Sequence, residues 1–445
     1  MFNQIFVAGR LCASFFVFIF LFILMVGNSM DASAKVFDVR QFGAKGNGTN
    51  FDTAAIQKAL DACQNSGGTV ELTPGIYLSQ PLTVHAKTIF KIDAGATLQA
   101  STNQSDFMKT PGDWLAAKSS GEFKAFISGE KLSDVTFTGG GVIDGGGAAW
   151  WPEAEKARET KSGYTLPRPN LIVLERCKNV RVENITLQNS PKFHLVPADC
   201  EDVVISNVTI LAPERAANTD AIDPSGRRIL ITKCKIDVGD DNVAIKAGRK
   251  IPGRDFESED ITVSDCTFLH GHGMSIGSET VGGVRNVTVK HCTFENTENG
   301  LRIKSDVRRG GIVENISYSD ITMSNVNPAI TFTCFYANNS AGDPKHAGGA
   351  QTNPAPAPGE KIPVYRNIRV SNLQATCQKS AGVILGLPEN CISNVVFENV
   401  KISAVSGLVI RNAKGILFKN STVIAKNGEP VIEENAEVKG LSPSK

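Results

Sequence analysis

From Asn179 towards the C-terminus, the chain repeats one short phrase in which apolar and polar positions alternate. It reads Asn179-Val-Arg-Val-Glu-Asn-Ile-Thr-Leu, then Asp202-Val-Val-Ile-Ser-Asn-Val-Thr-Ile, then Arg228-Ile-Leu-Ile-Thr-Lys-Cys-Lys-Ile. Shorter copies begin at Asp260, Asn286, Asn315, Asn367 and Asn394. A period of two, β-branched side chains and Asn or Asp at the corners predict short strands half-buried against a core. Most copies start about 23 to 32 residues apart, the length of one solenoid coil. The longer step from Asn315 to Asn367 predicts about two coils. It contains Asn338 to Lys361, whose Pro, Gly and Ala content predicts an inserted surface loop.

One copy per coil stacks into long parallel sheets, so the pattern predicts an all-β, single-domain parallel β-helix, a solenoid. A β-sandwich does not explain so long a period, and the Leu framework of a leucine-rich repeat is missing. A solenoid needs its ends covered. Asp52 as N-cap, with Ile56, Ala59, Leu60 and Cys63 at helical spacing, predicts a short N-terminal capping helix. The tail Leu441-Ser-Pro-Ser-Lys445 carries no core pattern and is expected to fray.

The first 34 residues read differently. Arg10 precedes an apolar run from Leu11 to Gly27, and Ala32-Ser33-Ala34 supplies the small residues of a cleavage site before Lys35. A signal peptide at 1–34 and a catalytic β-helix domain at 35–445 are the expected organisation, making the protein secreted and free of the membrane after cleavage. The alternative, an uncleaved anchor, is disfavoured because the apolar run is a little short for a full span.

The formal net charge is +1, with no basic block that would argue for nucleic acid. Of ten cysteines, Cys12 lies in the leader, leaving an odd set of nine. No zinc-type spacing appears among them, so buried apolar packing is the simplest reading. Cys377 and Cys391 are the pair most open to a disulfide.

Candidate chemistry begins at Asn218-Thr-Asp220 and returns about one coil later at Gly239-Asp240-Asp241-Asn242. Residues one coil apart lie above one another, which would bring Asp220 to the Asp240/Asp241 pair. Three crowded carboxylates raise at least one pKa, the condition for an acid and a base to coexist in glycoside hydrolysis. A solvated acidic turn and a calcium site are the competing readings. Gly271-His272-Gly273 falls one coil further on, where the imidazole could tune a proton donor and the glycines admit substrate to the backbone. Arg302-Ile303-Lys304 then places two cations on one strand face. They would either form a salt-bridge ladder or hold the carboxylates of an anionic substrate.

In order and spacing, these four segments resemble the signature motifs of polygalacturonases. Asp240-Asp-Asn-Val-Ala-Ile-Lys246 and Gly271-His-Gly-Met-Ser-Ile-Gly-Ser-Glu279 look most like the bacterial branch. Val36-Phe-Asp-Val-Arg-Gln-Phe-Gly43, Gly140-Gly-Val-Ile-Asp-Gly145 and Trp150-Trp151 extend the likeness over most of the mature chain. The resemblance implies a right-handed β-helix and inverting hydrolysis of α-1,4-linked galacturonan without metal or other cofactor. It implies Asp240 as general acid, Asp220 and Asp241 as activators of water, and His272 as support for the acid. Asn218, Arg302, Lys304 and Tyr336 would bind substrate. Ala221, Asn242 and Leu269-His270 depart from the plant and fungal pattern, and His270 adds an imidazole expected to shift the pH optimum.

The expectation is therefore a monomeric, secreted, endo-acting enzyme whose partner is de-esterified galacturonan. An exo-acting enzyme, a calcium-dependent pectate lyase on the same fold, and a non-catalytic polysaccharide-binding β-helix are the alternatives.

Overall fold

Each copy of the repeated phrase becomes one strand of a continuous parallel stack. Val180 lies opposite Val203, Val203 opposite Ile229, Ile229 opposite Ile261, and Ile261 opposite Val287. The column continues through Ile316 and Ile368 to Val395. All eight members point inward and are essentially buried. The architecture is the right-handed parallel β-helix. The computed structural model describes residues 35–108, 123–160, 168–306, 309–336 and 362–441. The expected leader at 1–34, the loop from Asn338 to Lys361 and the tail beyond 441 lie outside the described residues.

The polar corners have a conformational cause. The first residue of every copy (Asn179, Asp202, Arg228, Asp260, Asn286, Asn315, Asn367 and Asn394) has φ between 53° and 57°. In this left-handed region Asn and Asp are the non-glycine residues best tolerated. Their side chains also bond from coil to coil: Asn367 Nδ2 donates to Asn315 Oδ1 at 3.1 Å, and Asn394 Nδ2 donates to Asn367 Oδ1 at 2.8 Å. Asn184 and Asn207, within the copies, are left-handed corners of the same kind.

The N-terminal helix Thr53–Ser66 forms as expected, with Ile56, Ala59, Leu60 and Cys63 fully buried. Asp52 stands at its N-cap position but does not cap it; the carboxylate instead accepts from the backbone N–H groups of Lys45 and Gly46.

Two expectations need correction. The step from Asn315 to Asn367 is one coil, because strand Gly311–Val326 pairs directly with Pro363–Cys377. The surplus length belongs to the segment 337–361 and not to a further strand of this stack. Cys377 and Cys391 are both free thiols, as are the other seven cysteines. Arg366 faces Ser393 while Thr376 faces Ser403, so Cys377 and Cys391 stand at opposite ends of a strand pair.

Candidate active site

A second parallel sheet carries the chemistry. Its strands Val243–Ile245, Met274–Gly277, Leu301–Lys304 and Ile330–Thr333 pair in succession, and single bridges at Ile222 join the first of them to Leu195–Ala198. Ile222 pairs with Val243, Val243 with Met274, and Met274 with Leu301. Counting back two residues puts Asp220, Asp241 and His272 at one register on three successive coils. The expected stacking is present: Ala221 N donates to Asp241 O at 2.9 Å, and His272 N donates to Asp240 O at 2.8 Å.

Asp240 is the most open of the three acids, with 18% of its side chain exposed, against 1% for Asp241. His272 Nδ1 lies 2.9 Å from Asp240 Oδ1 and 3.9 Å from Asp241 Oδ1. Its other nitrogen, Nε2, lies 3.1 Å from Glu298 Oε2. Burial disfavours the charged imidazole, but Asp240 and Glu298 outweigh it and push His272 up to about 10. Burial likewise opposes ionisation of Asp240, yet His272, Lys304 and Arg302 hold its carboxyl far below the usual range. The unliganded pair is an imidazolium against a carboxylate, with one proton between them.

Asp241 is held by buried cations. Lys304 Nζ lies 2.6 Å from its Oδ2, Arg302 Nη1 lies 3.2 Å from its Oδ1, and Ser275 Oγ donates to Oδ1 at 2.8 Å. These cations outweigh burial and keep Asp241 below the usual carboxylate range. Arg302 and Lys304 are only 3% and 4% exposed, so both residues of the expected substrate clamp already have a partner inside the protein. Tyr336 covers them, its ring centre 5.5 Å from the Arg302 guanidinium carbon and 5.2 Å from Lys304 Nζ.

Asp220 behaves oppositely. Burial, then the charges of Asp223 and Asp240, push its carboxyl well above the usual range, and its Oδ1 has no hydrogen-bond partner. One of the three carboxyls is raised, as the sequence predicts, but it is Asp220 and burial is the chief cause, ahead of repulsion. Asp240, which the family likeness names as the acid, is lowered.

Asn218 links these groups. In a left-handed conformation (φ 56°), it donates from its backbone N–H to Asp240 Oδ2 at 3.2 Å. Its Oδ1 accepts from Arg168 Nη2 at 2.8 Å. Sequence reasoning missed Arg168, a buried guanidinium that also donates to the carbonyls of Pro191 and Ala217. Its one signal was an arginine set between two prolines, Pro167 and Pro169. His194, Asp223 and Glu298 were missed as well, and Lys246 and Glu279, which close two of the family-like segments, were given no role.

Asp240, Asp241 and His272 bring donor atoms within 4.8 Å of one another, a spacing a metal ion could use. The donor set argues against one, since Lys304 and Arg302 already engage both oxygens of Asp241. The glycines flanking His272 serve packing between coils: a Cβ on Gly271 would lie 2.5 Å from Asp240 O, and one on Gly273 2.1 Å from Asn299 O. Asn242 ties the same coils, donating to His270 O and accepting from Gly273 N. The His270 ring turns to Asp237, at 2.8 Å, and to none of the three aspartates.

Comparison with known proteins places the chain in a family. Residues 75–422 match the family described as glycosyl hydrolases family 28. An endo-polygalacturonase of Pectobacterium carotovorum subsp. carotovorum is 35% identical over 375 residues, covering 81% of this chain and 86% of that one. A polygalacturonase of Juniperus ashei is 31% identical over 404 residues, covering 86% and 71%. Among solved structures, the polygalacturonase from Erwinia carotovora ssp. carotovora superposes with a TM-score of 0.65 at 31% identity, covering 88% of this chain and 94% of that one. Family match, identity and superposition converge on one conclusion: the chain belongs to glycosyl hydrolases family 28.

Proposed function

We propose that the protein hydrolyses the α-1,4-glycosidic bonds of de-esterified galacturonan, acting within the chain and with inversion. The observation that carries this reading is the alignment of Asp220, Asp241 and His272 on successive coils, with Asp240 reaching out beside them. Acid and base functions are thereby provided side by side, as hydrolysis of a glycosidic bond requires.

Asp240, more open than Asp241 and joined to His272, delivers a proton to the leaving oxygen. That proton belongs to the Asp240–His272 pair, and burial by bound substrate favours its neutral form. Asp220 and Asp241 orient and deprotonate the attacking water. Arg302, Lys304, Tyr336 and Asn218 line the place where a galacturonate carboxylate meets the enzyme. A second assignment, with Asp220 as the acid, draws support from its raised pKa. Similarity to endo-acting relatives supports internal cleavage.

The leader composition supports export to an extracellular substrate. Among the described residues no helix is long and apolar enough to cross a membrane. The test is product size against time on polygalacturonate, with and without chelator. Early oligomers of mixed length and full activity in chelator are expected. Monomer release alone would make the enzyme exo-acting, and chelator-sensitive unsaturated products would make it a lyase.

A further inference from the structure

Lys246 occupies an unusual position at the edge of this site. It follows strand Val243–Ile245, and its register partners one and two coils on are Gly277 and Lys304. The two lysines therefore stand in one column of the sheet. Lys304 closes on Asp241 at 2.6 Å. Lys246 closes on nothing: its Nζ hangs 3.5 Å from Glu279 Oε2, 3.6 Å from Asp223 Oδ2 and 4.0 Å from Asp220 Oδ2. Burial works against its charge, but Asp223, Asp220, Glu279 and Asp241 hold the ammonium firmly protonated. One charge is thus divided among three carboxylates.

We propose that Lys246 is a positioning residue that sets the ionisation of Asp220, with Glu279 controlling how much of the lysine's charge Asp220 receives. The inference rests on the reading of Asp220 as an activator of water, which requires its carboxylate form. Other charges face Asp220 from every side. Asp223 lies on its own segment, Asp240 and Asp241 on the next coil, and Arg168 and Lys192 on the segments before it. His194 Nδ1 lies 3.2 Å from the Asp220 carbonyl oxygen, but burial pushes that imidazole down to about 4, so it brings no charge at neutral pH. Arg168 directs both of its Nη groups to Asn218 and backbone carbonyls, and burial works against the charge of Lys192. Lys246 is the cation paired to the Asp220 carboxylate among the described ion pairs.

Glu279 competes for it. With 45% of its side chain exposed, Glu279 draws the ammonium outward and also lies 3.9 Å from Arg309 Nη1. Opposite signs follow for the two partners. Lys246→Met raises the pKa of Asp220, and Glu279→Gln lowers it, because the freed ammonium then serves the two aspartates alone.

The test is the pH profile of kcat/KM on polygalacturonate for wild type, Lys246→Met, Lys246→Arg and Glu279→Gln. The acid limb of Lys246→Met should move about one pH unit upward, the scale expected for losing an opposite charge at this distance, with activity converging on wild type at high pH. Lys246→Arg should restore the wild-type limb, and Glu279→Gln should move it downward. An unmoved limb in Lys246→Met, a uniform loss at all pH values, or a rise in KM alone would overturn the proposal. If Lys246→Met does not fold, Glu279→Gln decides: a limb unmoved or shifted upward overturns it. A wild type that leaves polygalacturonate uncut fails differently, removing the functional reading on which the inference stands.

Discussion

His272 Nδ1 sits 2.9 Å from Asp240 Oδ1 while its Nε2 faces Glu298, so one imidazolium is clamped between two carboxylates. In the proposed mechanism the Asp240–His272 pair holds the proton before substrate arrives. Replacing Asp240 by Asn should lower kcat by about 10²–10⁴-fold, with KM little changed, because acid catalysis acts in the transition state. Much of the loss should return on a galacturonide whose leaving group needs no protonation. If Asp220→Asn is the variant rescued by that substrate, the roles of the two acids are exchanged.

Lys304 and Asp241 are both essentially buried, and each is the other's short ion pair. Removing Lys304 leaves Asp241 to Arg302 and Ser275 alone in a poorly solvated site, which costs at most the roughly 3–5 kcal/mol of a fully broken buried pair. Lys304→Met should therefore unfold at a lower urea midpoint as well as lose turnover. A variant as stable as wild type, with only KM raised, would return Lys304 to a purely substrate-binding role.

Asp223 is buried beside Lys246, and burial, followed by the Asp241 and Glu279 charges against the pull of Lys246, leaves it at about 7. Its folded pKa exceeds the unfolded value of 3.8, so the folded state holds the proton more tightly. Between these two values rising pH costs stability, with a slope approaching 1.4 kcal/mol per unit, about the value of one proton. Asp223→Asn should flatten thermal stability between pH 4 and 7. An unchanged slope would mean the carboxyl titrates normally.

Asn367 combines a left-handed backbone (φ 57°) with hydrogen bonds to the coils on both sides. Asn367→Ala should cost about 2 kcal/mol, from the left-handed penalty and the lost side-chain bonds. Asn367→Gly should cost less, since only the bonds are lost; equal costs would show that the backbone carries no strain there. Urea titration of the two variants measures the difference.

Much of this arrangement was legible in the chain itself. Alternation within the phrase gave the strands, and its recurrence gave the coil, because parallel stacking turns equal sequence spacing into equal register. The same rule predicted that Asp220 would meet Asp241. It failed between Asn315 and Asn367, where spacing alone does not distinguish an extra coil from an insertion. The parts played by Arg168, His194 and Lys246 were illegible for another reason. They act through where their side chains end, which a local pattern does not encode even for Lys246, the last residue of a family-like segment. The direction of each carboxyl's shift was equally hidden, since it depends on which cation closes to 2.6 Å and which stops at 4.0 Å.

Because Asp220, Asp241 and His272 share one register on successive coils, the spacing of these candidate groups follows from the interstrand distance, about 4.8 Å per coil. The geometry of the proposed site is thus a property of the backbone ladder. Loops at the coil edges are free to lengthen, shorten or change charge without disturbing it. Preferences for chain length and esterification can diversify while the chemistry stays fixed, much as a ruler keeps its graduations whatever handle is attached.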